Sequence, residues 1–185
     1  MPIGREHECS LFVMQQESQM TFSIYTASVP VFTRMLTNLD AILGKAEAWA
    51  AERKIDPAVL VNARLAPDML PLPFQITSAT DNAKFGSARL AGRTPPVWPD
   101  SEKTIPELRG RMRTAIDYLG TFTPEDFEGA AERELIIKVG GKDTPMLGAA
   151  YLFTRAVPNF FFHTMTAYAI LRHNGVAIGK SDYLG

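Results

Sequence analysis

The sequence contains few of the side chains that crosslink a fold or bind a transition metal. Among its 185 residues there is a single cysteine, Cys9, and there are three histidines. One cysteine cannot form a disulfide within the chain, and it cannot supply the several thiolates of a structural zinc site. This cysteine usage fits a reducing compartment, so we predict a cytoplasmic location.

Long hydrophobic runs and an excess of charge of one sign are also missing. No apolar run reaches the roughly 18 residues that a membrane span needs. The 19 basic and 20 acidic residues give a formal net charge of -1, whereas binding to nucleic acid phosphates calls for a basic face. Hydrophobic residues make up 46% of the chain. We predict one globular domain with neither nucleic acid nor a membrane as a partner.

The first 20 residues differ in composition from the rest of the chain. Their apolar patch is the tetrad LFVM at 11–14, which is too short for the core of a signal peptide. We predict a disordered or poorly ordered extension over residues 1–20, with a short ordered arm as the alternative. The globular domain is predicted to cover residues 21–185.

Apolar side chains recur at helical spacing in four long segments. These segments cover approximately residues 28–54, 72–92, 104–120 and 148–174. Ser28 can cap the first helix, and Thr104 and Glu107 have the spacing of a capping box at the start of the third. Four amphipathic segments with modest connections predict an all-α fold, a four-helix bundle.

Two of the connections carry signals of their own. Asp56 before Pro57 predicts a short helix between the first and second long helices. The segment ELIIKV at 134–139 alternates loosely and precedes Gly140 and Gly141. This pattern predicts a small β-hairpin between the third and fourth long helices.

The last helix carries a polar stripe on an otherwise apolar surface. At about 100° per residue, Arg155, Asn159, His163 and Thr166 lie on one side of the helix. Buried polar groups need partners. The stripe must therefore face other polar side chains, a metal or a solvated pocket.

Pro158 interrupts the hydrogen bonding of this helix beside the stripe. Its nitrogen cannot donate to the Thr154 carbonyl, so we predict a kink there. Two interpretations remain open at this point. The kink forms a binding cleft, or the Asn159 amide satisfies the freed carbonyl.

Each candidate residue also has a purely structural interpretation. His163 can be a core histidine that is hydrogen-bonded to a neighbour. Arg64 and Asp68 can form an ion pair across one helical turn. Three arginines of the third helix are predicted to form a solvated face: Arg109, Arg111 and Arg113.

Two stretches of the sequence resemble a known family. They are NARLAPDMLPL at 62–72 and AYAILRHNGV at 167–176, the second followed by IGK and Asp182. They are similar to the domain-of-unknown-function family 1993, within the DinB/YfiT-like superfamily, and the likeness extends over about residues 22–185. The resemblance implies a DinB-like four-helix bundle that is commonly dimeric, so a homodimer is expected. It brings no established activity.

The superfamily resemblance also implies a metal site. DinB-like proteins typically carry a His-x-x-x-His pair early in the last helix and a third histidine on the second helix. The Leu-Arg and Gly of this pattern are present within 171–175, which places His163 at the second position of the pair and Asn159 at the first. The second helix has no histidine, so Asp68 or Gln75 would complete the site. The resemblance thus implies a divalent metal, zinc, nickel or similar, on His163, Asn159 and Asp68.

Two functions follow from the residues and the resemblance. The first is an enzyme, metal-dependent or metal-free, of the hydrolase or thiol-transferase type, acting on a small molecule in a bundle pocket lined by His163. In its metal-dependent form Arg64 orients a substrate carboxylate. In its metal-free form His163 acts as general base and Asp68 orients it. The alternative is a non-catalytic bundle that binds a small ligand or serves as a dimeric scaffold with a degenerate metal site.

Overall fold

Four long helices form the bundle in a computed structural model that describes residues 22–185. The helices and strands, in chain order, are α1 (Val29–Arg53), α2 (Ala58–Val61), α3 (Leu72–Leu90), α4 (Ile105–Leu119), β1 (Glu134–Val139), β2 (Lys142–Leu147), α5 (Gly148–Tyr151), α6 (Val157–His173) and α7 (Lys180–Leu184). The long members are α1, α3, α4 and α6. This arrangement confirms the predicted bundle with a hairpin between its third and fourth long helices. The predicted N-terminal extension lies outside the described residues.

The helix boundaries follow local chemistry, with one correction. Thr104 Oγ1 accepts from the Glu107 N–H at 3.3 Å, and Glu107 Oε2 accepts from the Thr104 N–H at 3.0 Å, so the predicted capping box is present. Asp56 Oδ1 accepts from the Ala58 N–H at 2.9 Å and starts α2. The predicted cap at Ser28 is wrong, because its hydroxyl donates backwards to the Ile24 carbonyl at 2.6 Å.

The hairpin packs one face against the bundle. Its antiparallel register pairs Glu134 with Leu147 and Val139 with Lys142. The two residues between the strands, Gly140 and Gly141, have φ of +57° and +81°, which is the backbone of a tight two-residue turn. Among the β1 side chains, those of 135 and 137 are buried and belong to the hydrophobic core.

The predicted last helix, residues 148–174, is divided into three parts. Between α5 and α6 the chain makes a π-helical turn over Leu152–Ala156, in which the Val157 N–H bonds the Leu152 carbonyl five residues back. Pro158 follows directly, in the first turn of α6, and because residues 152–156 are themselves helical its missing N–H removes a possible hydrogen bond back to that turn. The structure shows a widened turn just before Pro158, where the sequence predicts a kink.

The predicted solvated face of three arginines is wrong for Arg111. Its side chain is 3% exposed, and it lies between α3, α4 and the proline-rich loop of residues 91–104 that joins them. The guanidinium donates five hydrogen bonds, which are accepted by Thr80, Asp81, Pro99, Asp100 and Glu102. Arg109 is also engaged, in a two-pronged pair with Asp40 of α1 at 2.8 and 3.2 Å. Only Arg113, with a side chain 58% exposed, fits the prediction.

Within residues 22–185, no helix combines the length and the hydropathy of a membrane-spanning segment.

Candidate functional site

Two side-chain hydrogen bonds cross between α3 and α6. Gln75 Oε1 lies 2.8 Å from His163 Nδ1, and Asn159 Nδ2 donates to Asn82 Oδ1 at 2.8 Å. The two pairs run in opposite order along the helices, so α3 and α6 are antiparallel. We call these four side chains the polar seam. It provides partners for two members of the predicted polar stripe, Asn159 and His163, while the Thr166 hydroxyl donates to the Phe162 carbonyl at 2.7 Å.

Gln75 is fixed in orientation by its own backbone surroundings. It sits in the first turn of α3, is 2% exposed, and donates from Nε2 to the Leu70 carbonyl at 2.8 Å. With the amide nitrogen committed in this way, Oε1 is the atom that faces His163, and an amide oxygen can only accept. The proton of this hydrogen bond therefore belongs to the histidine.

The Gln75 contact determines the tautomer of the His163 ring. Because Nδ1 donates, the neutral imidazole carries its proton there and has its free electron pair on Nε2. Within the described part of the chain Nε2 has no hydrogen-bond partner, and it is not among the polar atoms cut off from solvent. His163 thus presents an oriented, accessible acceptor.

The surroundings of His163 keep the ring neutral. Burial lowers the pKa of His163 below its ordinary value, since a charged imidazolium loses hydration there. Phe74 and Phe162 meet the ring edge to face, with centroids 5.9 and 5.2 Å away. No carboxylate pairs with the ring anywhere in residues 22–185. At neutral pH the ring is a neutral base.

Asp68 and Arg64 lie apart from the polar seam. Both are exposed in the segment between α2 and α3. Arg64 Nη1 donates to the Met69 carbonyl at 2.7 Å, and the described salt bridges include none between Arg64 and Asp68, so the predicted ion pair is wrong. No hydrogen bond joins either of them to His163 in the described chain. Gln75, the alternative to Asp68, is the residue that contacts His163.

Comparison with known proteins identifies the family. A family model for a domain of unknown function, DUF1993, matches residues 24–184. The chain belongs to the DUF1993 family. A crystal structure of a DinB family member from Shewanella denitrificans is similar to it, with 45% sequence identity and a TM-score of 0.83 over 87% of this chain and 91% of that one. A search of the curated proteins gave no match.

The polar seam of this DUF1993 chain does not fit the metal that the superfamily resemblance implies. It offers one imidazole and three neutral amides, and two of the amides are already hydrogen-bonded to each other. Zinc and nickel are held in proteins by imidazole, thiolate or carboxylate groups. No cluster of three such side chains occurs in residues 22–185. The metal on His163, Asn159 and Asp68 remains a prediction from the resemblance alone.

Asn82 is the member of the DUF1993 seam that sequence reasoning missed. Gln75 and Asn82 are seven residues apart on α3, which places them on one face of the helix within about 20°. Asn159 and His163 are four residues apart on α6 and also share a face. Polar residues on the facing sides of two antiparallel helices are candidates for pairing. The sequence therefore contained a signal for Asn82, but using it required knowing that α3 packs against α6.

Proposed function

We propose that this DUF1993 protein is an enzyme that acts on a small molecule without a metal, with His163 as its general base. The observation that supports this proposal is the hydrogen bond between Gln75 and His163. It holds the ring, sets the proton on Nδ1 and leaves Nε2 free to accept a proton from a substrate. Gln75 takes the orienting role that the sequence predicts for Asp68. Asp68 and Arg64 stay predictions from the sequence.

The neutral orienting partner determines which proton His163 can remove. A carboxylate partner would stabilise the imidazolium that forms when Nε2 gains a proton, whereas an amide oxygen does so much less. The base is therefore weak. A thiol, with a pKa of about 8.5, is a better matched substrate group than water, with a pKa of about 15.7. This match favours thiol-transferase chemistry over direct hydrolysis.

A second candidate is the homodimeric scaffold. Phe162 and Met165 are three residues apart on α6 and are 55% and 46% exposed, and Phe74 of α3 is 43% exposed. Phe74 and Phe162 flank the His163 ring. Exposed apolar side chains grouped in this way are typical of an interface between proteins. A partner subunit seated here would cover His163.

Chemical labelling of histidine tests the base directly. Diethyl pyrocarbonate reacts with a neutral, accessible imidazole nitrogen, and mass spectrometry separates the His163 peptide from that of His173, which is exposed. We expect His163 to react at neutral pH. We also expect its reaction to persist to lower pH than that of free N-acetylhistidine added to the sample, because burial lowers the pKa of His163.

Two matched variants sharpen the labelling experiment. Gln75→Glu should raise the pH at which His163 is half reactive by roughly one unit or more, since a carboxylate beside Nδ1 favours the charged ring. Asn82→Asp adds the same charge two turns farther along α3, about 10 Å from position 75. It should shift the pH at which His163 is half reactive far less. An unreactive His163 in a protein that light scattering shows to be a monomer would contradict the proposal. Protection of His163 within a dimer would favour the scaffold.

A further inference from the structure

A surface cleft of about 480 Å³ opens where the π-helical turn meets α3 and the hairpin. Residues 154–156 of the turn line it together with Arg89 of α3 and Lys138 of β1. The widened turn at Leu152–Ala156 leaves Thr154 and Arg155 exposed at the cleft instead of packed in the bundle. Its volume is within the range of small-molecule sites. His163 does not line it.

The cleft is positively charged. Its lining includes Arg89, Lys138 and Arg155 and contains no aspartate or glutamate. In residues 22–185 no carboxylate pairs with Arg89 or Arg155, while Lys138 has an exposed pair with Asp143 at 3.0 Å. Two guanidinium groups thus face the same opening without a counter-charge from the protein. Guanidinium groups favour planar or tetrahedral oxyanions, which they bind through paired hydrogen bonds.

Hydrogen bonding within the lining leaves further groups free for a ligand. Arg89 Nη1 donates to the Tyr151 hydroxyl oxygen at 3.0 Å, so the Tyr151 proton can be donated elsewhere. The Arg89 guanidinium also lies over the rings of Phe85 and Tyr151, at 5.3 and 5.8 Å, which restrains it. At the other end, Asn159 donates through Nδ2 to the seam. Its Oδ1 has no partner in the described chain and can accept from a ligand.

We infer that this cleft binds a small molecule that carries an oxyanion, a phosphate or a carboxylate, at one end and a hydroxyl or amino donor at the other. Arg155, Arg89 and the Tyr151 hydroxyl would hold the oxyanion. The Asn159 carbonyl oxygen would accept from the donor. Arg155 is the main determinant, because it is exposed, lines the cleft and has no other partner among the described residues.

Titration of the ¹⁵N-labelled protein with two anions tests this site. Inorganic phosphate and malonate are the probes, and sodium chloride at equal ionic strength is the control. We expect saturable shifts of the backbone amides of residues 151–157, Asn159 and Arg89 with at least one anion. Saturation with phosphate alone would assign a phosphate group, and saturation with malonate alone would assign a carboxylate.

Charge-matched variants show whether the binding is specific. Arg155→Gln should weaken binding by about tenfold, as expected for the loss of one charge-assisted hydrogen bond. Arg113→Gln removes an exposed charge from α4 and should leave binding unchanged. No saturation with either anion, or an equal effect of the two variants, would overturn the inference. His163→Gln should bind as the parent does, so this result stands apart from the role of His163.

Discussion

Replacing Arg111 with alanine is expected to lower the free energy of unfolding by about 3–5 kcal/mol. The Arg111 side chain is 3% exposed and donates to carboxylates of three residues, Asp81, Asp100 and Glu102. Lys84, 2% exposed and 2.8 Å from Asp81, would be the one cation left in this cluster. Glu102 already has one buried oxygen without a partner. The loss is large because the Glu102 carboxylate, whose side chain is 13% exposed, would be left without its cation.

Urea denaturation followed by circular dichroism measures this effect, with Arg113→Ala as the matched control. Arg113 lies two residues along α4, has a side chain 58% exposed, and is 3.8 Å from its nearest carboxylate. Its replacement should change stability by no more than about 0.5 kcal/mol. Equal effects of the two substitutions would show that Arg111 does not hold the loop against α3 and α4.

Replacing Gly148 with alanine is the second change with a large expected effect. A Cβ atom at this position would lie 1.9 Å from the Ala130 carbonyl oxygen, a backbone atom that cannot rotate away. Two backbone hydrogen bonds also hold this segment in place. The Gly148 N–H donates to the Arg133 carbonyl at 2.9 Å, and the Ala149 N–H donates to the Ala131 carbonyl at 3.0 Å. We expect a loss of about 3 kcal/mol or more. Thermal unfolding would show it as a lower midpoint.

Gly110→Ala is the control for Gly148→Ala. Gly110 is inside α4, and a Cβ built on it meets nothing within 4 Å. Alanine there should stabilise the protein by roughly 0.5–1 kcal/mol, because it lowers the entropy of the unfolded chain and suits a helix. A stable Gly148→Ala protein would mean that α5 can move away from residues 130–133.

The sequence was sufficient for those parts of the fold that local chemistry determines. The capping box at Thr104, the Asp56 cap and the glycine pair of the hairpin are each decided within a few residues. The π-helical turn was not foreseen, because Pro158 indicates a disturbance but not how the preceding turn accommodates it. Arg111 was misjudged because its partners come from α3 and a loop, and helical spacing alone does not show what covers a side chain.

The same distinction between local and tertiary determinants applies to the candidate site. The spacing of Asn159 and His163 on one helix predicted that both side chains need partners, and both have them. The partner of His163 could not be selected from the sequence, because Gln75 is 88 residues away and Asp68 is equally close to the start of α3. The direction of the Gln75 amide decides the tautomer, and it depends on the Leu70 carbonyl. Such a contact depends on tertiary structure.

The tautomer of His163 is the most direct test of the proposed base. Long-range ¹H–¹⁵N correlation spectra of protein labelled at histidine, assigned with His163→Gln, distinguish a proton on Nδ1 from one on Nε2. We predict a neutral ring at pH 7 with the proton on Nδ1, unchanged by one equivalent of zinc. A proton on Nε2, or a ring nitrogen shift that saturates at one zinc per chain, would contradict a metal-free base oriented by Gln75.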